Sequence, residues 1–125
     1  MMSDRPQSAE QFLEIRHQLA KTGDIRRTLE LDEELCGLAA TNPDQAAAIM
    51  GTLARSDDFG AKEAVAIYVQ YLFPTRPHQA RDLLLALLND PDDDIQSQAL
   101  DTLDIVTSDR WITRAEANKL VNSKG

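Results

Sequence analysis

The feature that most constrains the fold is a pattern of helix starts and apolar positions that recurs every 34 residues. A period of this size is typical of stacked helical repeats, in which one unit is too small to bury its own apolar face. The positions that recur at this offset are Pro43/Pro77, Gln45/Gln79, Ala46/Ala80, Ile49/Leu83, Leu53/Leu87 and Asp58/Asp92, with Gln11, Ile15, Leu19 and Asp24 one step earlier.

Helix-start signals dominate the chain, and no stretch has the alternation of polar and β-branched residues that predicts a strand. Capping boxes, in which a side chain accepts from backbone N–H groups of the first helical turn, are predicted at four places. They are Ser8 with Gln11, Asn42 with Gln45, Asp93 with Gln96, and Thr113 with Glu116. The pattern predicts helices near 8–21, 25–40, 43–55, 60–73, 78–89, 94–107 and 113–122.

The connections between these helices are short, so consecutive helices are expected to be antiparallel neighbours. The sequence therefore predicts an all-α fold in a single domain spanning residues 1–125. We expect a right-handed alpha-alpha superhelix of three antiparallel helical hairpins, near 8–40, 43–73 and 77–107, and a C-terminal capping helix near 113–122. Trp111 is predicted to seal the gap between the third hairpin and the capping helix.

The charge is strongly acidic and unevenly distributed. The chain has 21 acidic and 13 basic residues, a net charge of −8, and residues 79–106 hold seven aspartates and one arginine. An acidic surface repels the phosphate backbone, so we expect no nucleic-acid partner. No apolar run is long enough to span a membrane. The single cysteine, Cys36, favours a reducing cytoplasm and is predicted to be a buried, small apolar residue.

The segment "LLLALLNDPDDDIQSQALDTLDIV" resembles a HEAT-type repeat. The resemblance rests on a leucine-rich helix, a D-P-D turn, a β-branched residue, and then alanine and leucine on the second helix. These features are Leu84, Leu87 and Leu88; Asp90, Pro91 and Asp92; Ile95; and Ala99 with Leu103. Gln96 stands where the family usually carries arginine. The resemblance implies a short alpha-solenoid that binds other proteins, and it implies no reaction.

The sequence contains little evidence for a metal-binding or catalytic site. Counted from Asp90, aspartates occupy positions 1, 3, 5 and 12 of a calcium-binding EF-hand loop. That loop needs glycine at position 6 and glutamate at position 12, where this chain has Ile95 and Asp101. The aspartates are better explained as residues of a turn and of a helix N-terminus.

One cysteine and two separated histidines, His17 and His78, cannot form a zinc site. We expect no metal, no cofactor and no catalytic residue, with both histidines on the surface.

The second helix of each predicted hairpin has acidic or polar residues opposite its apolar stripe. These candidate partner-binding residues are Glu30, Glu34, Glu63, Gln70, Asp101 and Asp104. In solenoids of this kind the second helices often line the inner groove, so these residues would form one acidic face. The other interpretation is that the charge only maintains solubility.

The sequence thus favours a non-catalytic protein–protein interaction module, an adaptor, regulator or inhibitor that presents an acidic groove face to a basic protein. One alternative is an enzyme of the HEAT-like DNA-repair glycosylase or lyase type, for which Asp109, Arg110 and Trp111 give a faint signal. Another is a self-assembling repeat protein that forms a homodimer by stacking its ends.

Overall fold

The computed structural model describes residues 9–122, except for the side chains of Ala9 and Ala20. This part of the chain is all helical and contains no strand, which confirms the predicted fold class. Ser8, the first predicted cap, lies outside the described residues. The helices are α1 (Ala9–Thr22), α2 (Ile25–Thr41), α3 (Pro43–Ala54), α4 (Phe59–Tyr68), α5 (Pro77–Leu88), α6 (Asp93–Ser108) and α7 (Arg114–Asn122), with a 3-10 helix at Val69–Leu72.

An aspartate caps every second helix, at the 34-residue spacing found in the sequence. The carboxylates of Asp24, Asp58 and Asp92 accept hydrogen bonds from backbone N–H groups in the first turns of α2, α4 and α6. The prediction that Asp93 caps α6 was therefore wrong by one residue. Asp93 lies inside the first turn, and the predicted partner of that cap, Gln96, donates instead to the backbone carbonyl of Asp90.

The other two predicted caps are present, and the one at Thr113 is a complete capping box. Asn42 accepts from the backbone N–H of Gln45 at 3.4 Å and donates from its side chain to the Gln45 side chain at 3.0 Å. Thr113 accepts from the backbone N–H of Glu116 at 3.1 Å, and Glu116 accepts in return from the backbone N–H of Thr113 at 3.3 Å. These bonds satisfy N–H groups that have no partner within a helix.

The helices form two rows. In one row α1 contacts α3, α3 contacts α5, and α5 contacts α7; in the other α2 contacts α4, and α4 contacts α6. Consecutive helices α1 and α2, α3 and α4, and α5 and α6 also contact each other across the rows. The core between the rows is one continuous cluster of buried side chains, running from Phe12 in α1 to Ala117 in α7.

Helix α4 is enclosed on several sides, as its apolar sequence predicts. It contacts α2, α3, α5 and α6, and Ala61, Ala64, Val65 and Ala66 are all buried. The buried hydroxyl of Thr102 in α6 donates to the backbone carbonyl of Ala66 at 2.6 Å. A side chain larger than alanine at position 66 would hold α6 too far away for this bond.

The predicted helix 60–73 is α-helical only to Tyr68, because the following turn tightens to a 3-10 helix.

The connection between α6 and α7 differs from the prediction. Trp111 is 48% exposed, and the neighbouring Ile112, at 4%, is the residue buried there. The backbone explains this arrangement: Trp111 N–H donates to the carbonyl of Val106 and Arg110 N–H to that of Thr107. These two bonds form a Schellman motif, which requires a left-handed residue at position 110. Trp111 does not seal this connection.

Arg110 occupies that left-handed position with a φ of 66°, whereas the end of α1 uses Gly23 with a φ of 71°. A left-handed conformation costs a residue with a Cβ about 1–2 kcal/mol. We therefore expect Arg110→Gly to raise the free energy of unfolding by about 1 kcal/mol, measured by urea denaturation. Gly23→Ala is the matched control and should lower it by a similar amount. A neutral or destabilising Arg110→Gly would contradict the prediction.

Candidate functional site

Five of the six candidate partner-binding residues lie on α2, α4 and α6, which are placed side by side because α4 contacts both α2 and α6; Gln70 lies in the 3-10 helix that follows α4. Glu63, Asp101 and Asp104 are exposed, and Glu30, Glu34 and Gln70 are half-buried. We call these six residues the acidic ridge. Glu30 forms ion pairs with Arg27 at 2.8 Å and Arg26 at 3.4 Å, so part of its charge is neutralised. The exposed carboxylates of the ridge are therefore those on α4 and α6.

Exposed apolar side chains stand beside these acids, which the sequence analysis did not anticipate. Leu29 is 54% exposed on α2, Phe59 43% on α4 and Ile105 41% on α6. Phe59 precedes Glu63 by four residues, and Ile105 follows Asp101 by four, so each pair shares a face of its helix. Each of these two helices thus presents a carboxylate next to an apolar group.

Two tyrosines extend this apolar surface between α2 and α4. The rings of Tyr68 and Tyr71 stack with their centroids 6.2 Å apart, and Tyr71 is 46% exposed. Burial raises the pKa of Tyr68, and the nearby carboxylates of Asp32 and Glu33 add to this shift. The Tyr68 phenol is therefore neutral near pH 7, and the two rings offer an amphipathic contact surface.

A buried ion pair lies beneath this surface. Arg16 of α1 donates to the carboxylate of Asp32 of α2, and both side chains are nearly buried. Burial raises the pKa of Asp32 more than the charge and hydrogen bond of Arg16 lower it, and Glu63 raises it further. Gly60 makes room for Arg16, because a Cβ there would lie 2.9 Å from the guanidinium Nη2. The pair connects α1 and α2 to the start of α4.

The aspartate run at 90–94 has a structural explanation. The carboxylate of Asp90 is buried, receives the Lys62 ammonium at 2.8 Å, and accepts from the backbone N–H of Asp92 at 2.9 Å. Asp93 and Asp94 lie in the first turn of α6, where the helix dipole favours negative charge, as predicted. Residues 95–101 are helical, whereas an EF-hand needs them in its loop.

Both histidines are exposed, as predicted, and His17 has a defined partner. Its Nε2 lies 2.7 Å from Oδ2 of Asp58, whose other oxygen caps α4.

Cys36 is only half-buried, so the prediction that it is buried was wrong. Its partial burial raises the pKa of the thiol, which disfavours the reactive thiolate.

Two further observations concern residues 9–122 alone. No three His, Cys, Asp or Glu side chains are grouped so that they could hold a metal ion. None of the helices in this range combines the length and the apolar character needed to cross a bilayer.

The Lys62–Asp90 pair is expected to be important for stability. Lys62→Met leaves a buried carboxylate without its cation, and breaking such a pair costs about 3–5 kcal/mol. Burial opposes ionisation of Asp90, but the hydrogen bond and charge of Lys62 and the Asp92 amide outweigh it and lower the pKa below 3.8. The stabilisation is therefore present above pH 3.8 and is lost as the pH falls through the folded pKa.

Urea denaturation of Lys62→Met at neutral and acidic pH tests this prediction. The variant should lose several kcal/mol at neutral pH and should show a weaker loss of stability in acid than the wild type. The double variant Lys62→Met/Asp90→Asn is the control, since it removes both charges and should recover part of the loss. Equal stability of wild type and Lys62→Met at pH 7 would contradict it.

In comparisons with protein-family models, curated proteins and solved structures, nothing matches this chain.

Proposed function

We propose that this chain is a non-catalytic protein-binding module that holds a basic partner on the acidic ridge. Its helices form a short right-handed superhelix of three antiparallel hairpins, closed by α7 as a capping helix, in the manner of a HEAT-type solenoid. The two rows of helices support this arrangement, since stacked hairpins place first helices beside first helices and second helices beside second helices. The ridge lies on the row of second helices.

The observation that carries the proposal is the combination of exposed carboxylates and exposed apolar side chains on α4 and α6. Charge alone would be consistent with a solvated surface. Phe59 beside Glu63, and Ile105 beside Asp101, add the apolar contact area on which binding energy usually depends. Exposed large apolar groups are also costly to leave in water, so a partner that covers them gains from their burial.

The chemistry of the ridge defines the partner. A segment that fits it carries lysine or arginine side chains at the spacing of the carboxylates and apolar side chains between them. The carboxylates attract and orient such a segment, and the apolar groups hold it. An adaptor, a regulator or an inhibitor of a basic protein all require this same contact.

Reversal of charge on the ridge tests the proposal. We expect Glu63→Lys/Asp101→Lys to abolish capture of the partner, because each change replaces attraction by repulsion. Both side chains are exposed, so helicity and the melting temperature should stay as in the wild type. The measurement is affinity capture from the native cell with quantitative identification of the proteins that co-elute.

The matched control is Asp57→Lys/Asp82→Lys, which changes net charge equally at exposed positions outside the ridge. A basic protein that is retained by the control and lost by the ridge variant supports the proposal. If the two variants lose the same proteins to the same extent, the capture depends on net charge and the ridge is not the site. If every captured protein is retained by the ridge variant, the proposal is wrong.

A further inference from the structure

A space lies beside α6 and α7. Beside each earlier pair of helices, a later helix fills the equivalent space. Helix α4 contacts α2 and α3, and helix α6 contacts α4 and α5, so each covers the two helices before it. Helices α6 and α7 also contact each other, but within residues 9–122 no later helix follows to cover them. The result is a groove of about 310 Å³, which we call the α6–α7 groove.

Two apolar side chains in the lining of this groove are incompletely buried. Leu100 on α6 and Val121 on α7 line it, and they are 38% and 39% exposed. At the position 34 residues before Leu100, Ala66 is fully buried beneath α6. The eighth residues of α3 and α5, Met50 and Leu84, are fully buried, whereas the eighth residue of α7 is Val121. Within residues 9–122, positions that are buried in the earlier helices are thus open in this groove.

The two walls of the groove carry opposite charges. Asp104 lines it from α6, and Arg114 lines it from α7. A surface with an acid on one side and a base on the other is complementary to itself after a two-fold rotation. In such an interface the α6 wall of one copy faces the α7 wall of the other. Each Asp104 would then face the Arg114 of the second copy.

We propose that the α6–α7 groove binds a second copy of this chain, and that the two copies are related by a two-fold axis through the groove. Leu100 and Val121 of both copies form the apolar centre, and two Asp104–Arg114 contacts close its edges. The contact shares Asp104 with the acidic ridge, but it uses the end of the helical stack and would form whether or not the ridge binds other proteins.

Charge reversal followed by mixing tests both the contact and its symmetry. By sedimentation equilibrium around 10 µM, a concentration suited to a weak interface, we expect the wild type to dimerise. In an Asp104→Arg dimer each new arginine faces Arg114 of the other copy, and in an Arg114→Asp dimer each new aspartate faces Asp104. Both contacts are then repulsive, so each variant should weaken dimerisation by about tenfold or more. An equal mixture of the two variants restores opposite charges at both contacts and should dimerise like the wild type.

The variants are expected to fold. Asp104 is exposed near the end of α6, and Arg114 is exposed at the start of α7, where an aspartate is favourable. Circular dichroism checks this, and Leu100→Gln, which removes apolar area without changing charge, is a second variant that should weaken the dimer. The matched control is Asp57→Arg, an exposed aspartate between α3 and α4 that belongs neither to the groove lining nor to the acidic ridge, which should leave dimerisation unchanged.

Restoration of the dimer on mixing, with the control unchanged, supports the proposal. A wild type that is monomeric throughout the concentration range overturns it and leaves the groove to a different partner. A dimer that neither single reversal weakens overturns it too, because the interface then lies elsewhere. If the single variants are weakened but their mixture is not restored, Asp104 and Arg114 do not face each other and the two-fold arrangement is wrong.

Discussion

The burial of α4 is the constraint on which the rest of the structure depends. A helix with apolar side chains on most of its circumference cannot be covered by one neighbour, and α4 is covered by four helices, α2, α3, α5 and α6. Its small residues, Ala61, Ala64 and Ala66, let those neighbours approach closely. The hydrogen bond from Thr102 to the Ala66 carbonyl depends on this closeness. Helices on both sides of α4 are thereby fixed in position.

Ion pairs between elements set the distances that apolar packing alone leaves adjustable. Arg16–Asp32 joins α1 to α2, Lys62–Asp90 joins α4 to the turn before α6, and Arg81–Glu116 joins α5 to α7. In the Lys62–Asp90 pair the carboxylate also receives a backbone N–H, so burial of the charge is offset by hydrogen bonding. Each pair therefore specifies one arrangement among several that would bury similar apolar area.

The elements could be predicted from the sequence because their signals are local. The side chains of Asp24, Asp58 and Asp92 act on N–H groups two or three residues away, so a 34-residue period was sufficient to locate the helix starts. The ion pairs could not be predicted, since their members lie 16 to 35 residues apart, as in Arg16–Asp32 and Arg81–Glu116. The prediction for Trp111 was wrong because a left-handed residue at position 110 changes the direction of the chain. Ile112 is therefore the residue buried in this connection, and Trp111 is exposed.

The acidic residues of the ridge could be predicted from the sequence, but the exposed apolar side chains beside them could not. Acidic residues on the side of a helix opposite the core are expected to be exposed, and Glu63 and Asp101 are examples. Phe59 and Ile105 look like core residues in the sequence, and only the packing of three helices shows that they are left outside. Cys36 shows the converse, because the preceding Leu35 is buried whereas Cys36 itself is turned partly toward solvent by its position on α2.

Helix α6 connects the two proposed surfaces. Asp101 is exposed on the acidic ridge, and three residues later Asp104 also borders the α6–α7 groove. A dimer formed through that groove would leave Glu63 and Asp101 of both copies accessible, since neither lines it. Two ridges joined in one particle would bind a partner with two basic segments more tightly than either ridge alone, because the second contact becomes intramolecular. Self-association would then strengthen partner binding without any change in the ridge itself.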